Sequence, residues 1–184
     1  MKKIVIFASG TGSNAENIIK NFPNCELSIW TNNPHAKVIE KSHQLNVMSF
    51  VFTKKHLSEG IVMEKIININ PDLIVLAGFL LQIPQSFAQF FEHKIINIHP
   101  ALLPKYGGKG MYGNHVHQAV LQNKEQETGI TIHYVNENYD EGDIIFQEKI
   151  SIENCKSIEE ITQKIHELEH LHFPKVIQKL LYSE

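Results

Sequence analysis

An asparagine and a histidine stand two residues apart in the segment Asn97-Ile98-His99-Pro100. Side chains of an extended strand alternate between faces, so Asn97 and His99 share one face and Ile98 takes the other. An amide that donates hydrogen bonds, beside an imidazole that titrates near neutral pH, suits oxyanion binding and proton exchange. A carboxylate would complete such a set. The polar run Asn138-Tyr139-Asp140-Glu141-Gly142-Asp143 offers three, with Gly142 marking a tight turn. Spacing alone does not choose among Asp140, Glu141 and Asp143. The bland alternative is a hydrogen-bonded polar pair near a sheet edge and a solvated turn, and the chain carries 11 histidines.

A second feature suits an anion. Ala8-Ser9-Gly10-Thr11-Gly12-Ser13-Asn14 joins an apolar run to an amphipathic one. Glycines let backbone amides come close to a phosphate, and a helix start adds free N–H groups and a positive dipole end. Ser13 and Asn14 add side-chain donors and are candidate helix caps. The segment lacks the lysine of a Walker loop and the third glycine of a dinucleotide fingerprint, so neither label fits. A plain strand-to-helix turn is the competing reading.

The elements that must position these groups read as follows. Lys3 to Ala8 is a continuous apolar run, as in a strand covered on both faces. Ala15, Ile18, Ile19 and Phe22 recur at helical spacing from about Asn14. Glu26 to Trp30, Val47 to Phe52, Leu73 to Ala77 and Ile95 to Ile98 read as further strands, with helices over Ala36 to Leu45 and Ile61 to Ile69. Strands alternating with helices predict a Rossmann-like open, mostly parallel twisted sheet flanked by helices. Gly129 to Val135 and Ile144 to Ile150 read as an antiparallel strand pair in the C-terminal half. A last helix begins at Ser157 with Glu160 placed for a capping box, and Pro174 is expected to break or restart it. The longest irregular stretch, about Pro100 to Tyr112, is rich in Gly and Lys, and a loop that long is usually functional. All 184 residues read as one domain.

Composition removes several classes. The net charge of −3 advertises neither a nucleic-acid nor an anionic-membrane surface. The 17 basic residues are all lysine, so no guanidinium fork is available for phosphate or carboxylate. Cys25 and Cys155 lie far apart and form no metal pattern, which suits a reduced cytoplasm. The apolar start is too short for a membrane span and is interrupted at Gly10, so a buried first strand is the better reading. His115 and His117 have a spacing that metal sites use, but no further ligand cluster accompanies them, and no metal is expected.

The motifs ASGTGSN, AGFLLQIP, NIHPALLPKYGGKG and YDEGDII, in that order and spacing, resemble the glycinamide ribonucleotide formyltransferase family over nearly the whole chain. NIHPALLP is shared with the broader folate formyltransferase superfamily; the GTGSN turn points to the ribonucleotide enzymes within it. The resemblance implies transfer of a formyl group from 10-formyltetrahydrofolate, as co-substrate, to the amine of glycinamide ribonucleotide in purine synthesis. It implies Asn97, His99 and Asp140 as the catalytic trio, and Gly12, Ser13 and Asn14 as phosphate holders. It places Glu169 against the glycine amine, although a solvated helix edge is the commoner fate of such a residue. Leu80, Leu81, Gln82, Ile83 and Asn97 would line the folate pocket, and Asn136, Glu137, Asn138, Tyr139 and Asp140 would close over the pterin. Lys55 stands where many members carry an arginine toward the folate tail. Gly107 to Asn114 looks longer than the shortest family versions, as a lid or merely a longer loop. Small-molecule partners are implied, no nucleic acid or membrane, and the family leaves room for a homodimer.

The implied chemistry is direct attack of an amine on a formyl carbon through a tetrahedral oxyanion. Asn97 and protonated His99 would donate to it, each such donor being worth about 3 kcal/mol, with Asp140 raising the imidazole's pKa. Three other readings compete. A formyltetrahydrofolate hydrolase would use the same trio with water as acceptor but normally carries an N-terminal regulatory domain, whereas here the catalytic-type strand begins at Lys3. A formyltransferase for initiator tRNA would need a further basic domain. A non-catalytic nucleotide-binding module would explain the glycine turn but not the trio.

Overall fold

Ile4, Val5, Ile6 and Phe7 are all buried, as a strand covered on both faces requires, and they form β1 (Lys3–Phe7) in a computed structural model that describes residues 1–182. The chain continues through α1 (Ser13–Asn21), β2 (Glu26–Thr31), α2 (Lys37–Gln44), β3 (Met48–Val51), α3 (Lys54–Ser58), α4 (Ile61–Ile69) and β4 (Leu73–Leu76). It then runs through α5 (Gln85–Phe90), β5 (Ile95–His99), α6 (Asn114–Gln122), β6 (Glu127–Tyr134), β7 (Ile144–Ser151) and α7 (Ile158–Tyr182). The seven strands form one sheet in the order β3-β2-β1-β4-β5-β6-β7. β1 to β5 pair in parallel, and β6 is antiparallel to both β5 and β7. The expected α/β architecture and its antiparallel pair are both present.

Strand order reverses between β1 and β4, and in open α/β sheets ligands gather beyond the carboxyl ends of strands at such a switch. The glycine turn after β1 and the segment Gly78 to Ile83 after β4 flank that point. The faces of the sheet pack differently. One carries Ile4, Ile6 and Val75 against the apolar sides of α1, α6 and α7. The other carries Val5 and Phe7 against Trp30, Phe52, Phe87 and Phe91, with Phe7 edge-on to Phe52 at a centroid distance of 5.8 Å.

Three helices were not expected. α3, α5 and α6 are short, and each shows too few apolar turns for periodicity to declare it; the buried stripe of α6 is only Val116, His117 and Val120. Pro174 also departs from expectation, because α7 runs through it. A proline inside a helix costs about 3 kcal/mol, partly because the carbonyl four residues earlier loses its donor. That carbonyl belongs to His170, and Asn17 Nδ2 on α1 donates to it at 2.9 Å. Ile161, Ile165, Phe173 and Ile177 form a buried stripe at roughly 2 kcal/mol each, which outweighs the remaining penalty. Among the described residues, no helix is long and apolar enough to cross a membrane.

Candidate active site

Asn97 and His99 end β5, with Ile98 on the opposite face. The turn beyond them is fixed from β6, where Thr131 Oγ1 donates to the Ala101 carbonyl at 2.6 Å and accepts from the Leu103 amide at 3.0 Å. Of the three acidic candidates, Asp140 is the one the loop turns inward. Its Oδ2 lies 3.5 Å from His99 Nδ1 and accepts from the Gly108 amide at 3.0 Å. Asn97 Nδ2 reaches Asp140 Oδ1 at a long 3.5 Å.

His133 joins them and was not foreseen. The β5–β6 register sets it directly opposite Asn97, and Asn97 Nδ2 lies 3.1 Å from His133 Nε2. Its Nδ1 must donate to the Tyr134 carbonyl, 2.7 Å away, which leaves Nε2 free to accept from Asn97. The available signal was a polar residue alternating with Ile130 and Ile132 on the strand that pairs with β5. His99 Nε2 likewise faces a carbonyl, that of Tyr106 at 2.7 Å, so this nitrogen carries hydrogen.

The expected rise in the His99 pKa is not present in the free protein. Burial pushes the imidazole below its ordinary value, and Asp140 with the Tyr106 carbonyl offsets that only in part. Asp140 behaves oppositely. Burial pushes it up, but His133, His99 and the Gly108 amide hold it below the ordinary carboxylate value. The pair therefore rests as an anion beside a largely neutral imidazole.

The glycine turn enters α1 without the expected side-chain cap. Gly12 takes the cap position with φ 71° and makes no side-chain cap bond. A side chain there would be strained and would run into Val38. Glu16 is the first residue to donate back, to the Gly12 carbonyl at 2.9 Å, so the amides of Ser13, Asn14 and Ala15 have no acceptor within the helix. Glu169 is buried at 6% exposure on the facing side of α7, not at a solvated edge. Asn14 Nδ2 donates to Glu169 Oε2 at 2.9 Å, and Asn14 Oδ1 is buried without a partner. Burial raises the Glu169 carboxyl to about 7.

These groups line one cavity of about 620 Å³, inside the range of roughly 300–1,000 Å³ usual for small-molecule sites. Gly12, Ser13, Asn14 and Glu169 line it together with Asn97, His99 and Asp140. So do Leu80, Leu81, Gln82, Ile83, Asn136, Asn138 and Tyr139. Glu137 acts from behind, its carbonyl accepting from Gln82 Nε2 at 2.7 Å and tying the two loops together. Lys55 is not brought to the cavity: it lies on α3 with Nζ 3.7 Å from Glu59 and is largely exposed. His115 packs edge-on against Tyr112, whereas His117 is buried and faces the cavity, so the two histidines diverge. Residues Gly108 to Gly113 also line the cavity.

The family model described as "Formyl transferase" matches residues 2–177, and the chain belongs to that family. Within it, the chain is 38% identical to phosphoribosylglycinamide formyltransferase of Bacillus subtilis (strain 168), over 98% of this chain and 95% of that protein. It is 35% identical to the Haemophilus influenzae enzyme of the same name, over 97% and 86%. The crystal structure of phosphoribosylglycinamide formyltransferase from Streptococcus pneumoniae TIGR4 superposes with a TM-score of 0.88 at 32% identity, covering 98% of this chain and 99% of that one. These relatives place the chain among the phosphoribosylglycinamide formyltransferases.

Proposed function

We propose that this protein transfers the formyl group of 10-formyltetrahydrofolate to the glycine amine of glycinamide ribonucleotide. One observation carries the reading. The cavity that holds Asn97, His99 and Asp140 also holds the open amides of the α1 start and the buried Glu169. A phosphate fits the former, since the open amides of Ser13 and Asn14 and a helix dipole lie at it. An amine fits the latter, since a carboxyl with a single neutral donor gains from a cationic partner. The apolar Leu80, Leu81 and Ile83, with Asn136 and Asn138, suit a flat heterocycle carrying a few polar edges.

Formyl-folate supplies the carbon under attack, and its departing nitrogen receives the proton that the amine gives up. The new C–N bond forms first, giving a tetrahedral oxyanion, and the old C–N bond breaks as that intermediate collapses. The protein's part is to hold charge. Asn97 has one amide hydrogen engaged by His133, and the long contact to Asp140 marks the other as the one available to the oxyanion. His99 adds a second donor once protonated, and anionic Asp140 favours that state. Glu169, poised about neutrality, orients the amine and accepts from it. The setting this implies is cytoplasmic, with small molecules as partners.

The test mixes protein, 10-formyltetrahydrofolate and glycinamide ribonucleotide and follows release of deformylated folate. Release that requires the ribonucleotide and is lost in His99→Ala is expected. Release without ribonucleotide would make the protein a hydrolase, and ribonucleotide binding without release would make it a binding module.

A further inference from the structure

His99 and Asp140 come from distant parts of the chain, yet one short turn touches both. The Tyr106 carbonyl accepts from His99 Nε2 at 2.7 Å, and the Gly108 amide donates to Asp140 Oδ2 at 3.0 Å. Between them, Gly107 packs so closely that an added Cβ would sit 2.6 Å from Leu103 and 3.3 Å from Asp140. The turn is not relaxed. Tyr106 has φ 59°, a left-handed conformation that a bulky residue adopts only when its surroundings enforce it. What enforces it is the far end of the same side chain. The Tyr106 hydroxyl donates to Glu125 Oε1 at 2.8 Å and accepts from Asn123 Nδ2 at 2.9 Å. Asn123 and Glu125 follow α6 and precede β6, so the phenol fastens the turn to the base of the strand that carries His133.

We infer that Tyr106 is a positioning residue, its phenol clamped by Glu125 and Asn123 so that its carbonyl fixes the Nε2–H tautomer of His99 while the same turn aims Asp140 at His99 Nδ1. The inference rests on the formyl-transfer reading for its kinetic consequence but not for its structural one. Burial together with Glu125 holds the phenol's pKa above its ordinary value against the opposing pull of Asn123, so it donates throughout the neutral range. The consequence for His99 follows from which nitrogen titrates. With Nε2 locked as a donor, protonation occurs at Nδ1, the atom facing Asp140. A carbonyl free to drift holds neither the tautomer nor the imidazolium as well. The other titratable groups facing His99 are His133 on β6 and His117 on α6, and neither is bonded to Tyr106.

The experiment uses three full-length variants, Tyr106→Phe, Glu125→Ala and Glu125→Gln, with Lys105→Ala as control. Lys105 also pairs with Glu125, at 3.0 Å, but its side chain is 71% exposed and touches neither His99 nor Asp140. Imidazole 15N spectra of the free proteins are recorded across pH. In unaltered protein His99 is expected as the Nε2–H tautomer. Tyr106→Phe and Glu125→Ala are expected to mix the tautomers and to lower the His99 midpoint, Glu125→Gln to recover most of that loss, and Lys105→Ala to match unaltered protein. In the formyl-transfer assay the same two damaging variants should lower kcat by roughly tenfold with KM for both substrates little changed, a loss of the size that mispositioned catalytic groups give. An unchanged tautomer and midpoint in Tyr106→Phe overturns the inference, even if the protein melts at a lower temperature. Absence of turnover in unaltered protein would overturn the formyl-transfer reading instead, while the spectra still decide the role of Tyr106.

Discussion

Two carboxyls, one partly and one fully buried, line the same cavity and are held in opposite states. Asp140 lies below its ordinary pKa and Glu169 is raised to about 7. Burial acts upward on both, so the difference lies in their surroundings. Asp140 has a backbone amide and two imidazoles around it; Glu169 has one neutral amide, Asn14. The polar and chargeable groups around each therefore decide which carboxyl is a standing anion and which can trade a proton near neutrality. Their scaffolds differ as well. Glu169 is fixed by helix packing, with α1 bonded to α7 through Asn14 and Asn17. Asp140 is fixed by loops, and its own φ of 57° sits in the left-handed region beside the turn at Tyr106.

The largest expected effect comes from removing the charge of the first carboxyl while keeping its shape. Asp140→Asn leaves burial as the dominant influence on His99, so the imidazole pKa falls further. If turnover needs imidazolium, the decline in kcat with rising pH begins at a lower pH, and kcat near neutrality drops by about 10²-fold or more. A pH–rate profile of this variant against unaltered protein checks the sign. A profile that keeps its midpoint would mean that Asp140 does not control His99 and that the comparison of the two carboxyls has no catalytic content.

Glu169→Gln probes the other carboxyl through stability. An acid whose pKa rises from 4.5 unfolded to about 7 folded favours the native state fully only below its unfolded value. That advantage is lost as pH rises from 4.5 to about 7, an overall change of roughly 3 kcal/mol for so buried a group. Glu169→Gln removes the dependence. Urea denaturation is expected to show the variant more stable than unaltered protein at pH 8 and little different at pH 4, with ribonucleotide-dependent turnover lost. Equal stability at pH 8 would show that the carboxyl is not poised as described.

The parts of this arrangement differ in how far the sequence discloses them. Alternation along β5 is sufficient to pair Asn97 with His99, and the apolar runs of β1 to β5 declare the parallel sheet. The choice of Asp140 over Glu141 and Asp143 required the motif resemblance, because a loop's inward direction is set by long-range bonds such as that from Gly108. His133 escaped notice because its role depends on register across an antiparallel pair, a relation between strands that no single-strand pattern contains. Pro174 misled for a similar reason: local propensity predicts a break, and the compensating donor, Asn17, lies on another helix. Asp140 raises the His99 pKa as its motif implies, but burial outweighs it, and the degree of burial is a property of the packed whole that no motif contains.

The smallest expected effect tests whether the cavity's electrostatics end at its walls. The family resemblance implies Lys55 at the folate tail, but it stands on the short helix α3, outside the cavity lining, with its ammonium 3.7 Å from Glu59. The side chains of that pair are 76% and 50% exposed, and such ion pairs contribute little, typically about 0.5 kcal/mol or less. Lys55→Ala should leave thermal stability and kcat within error of unaltered protein. Its KM for monoglutamyl 10-formyltetrahydrofolate should be unchanged as well, because no cavity group loses a partner. A several-fold rise in that KM, abolished by added salt, would return Lys55 to the binding site as a long-range cation and would enlarge the set of charges against which Asp140 and Glu169 are compared.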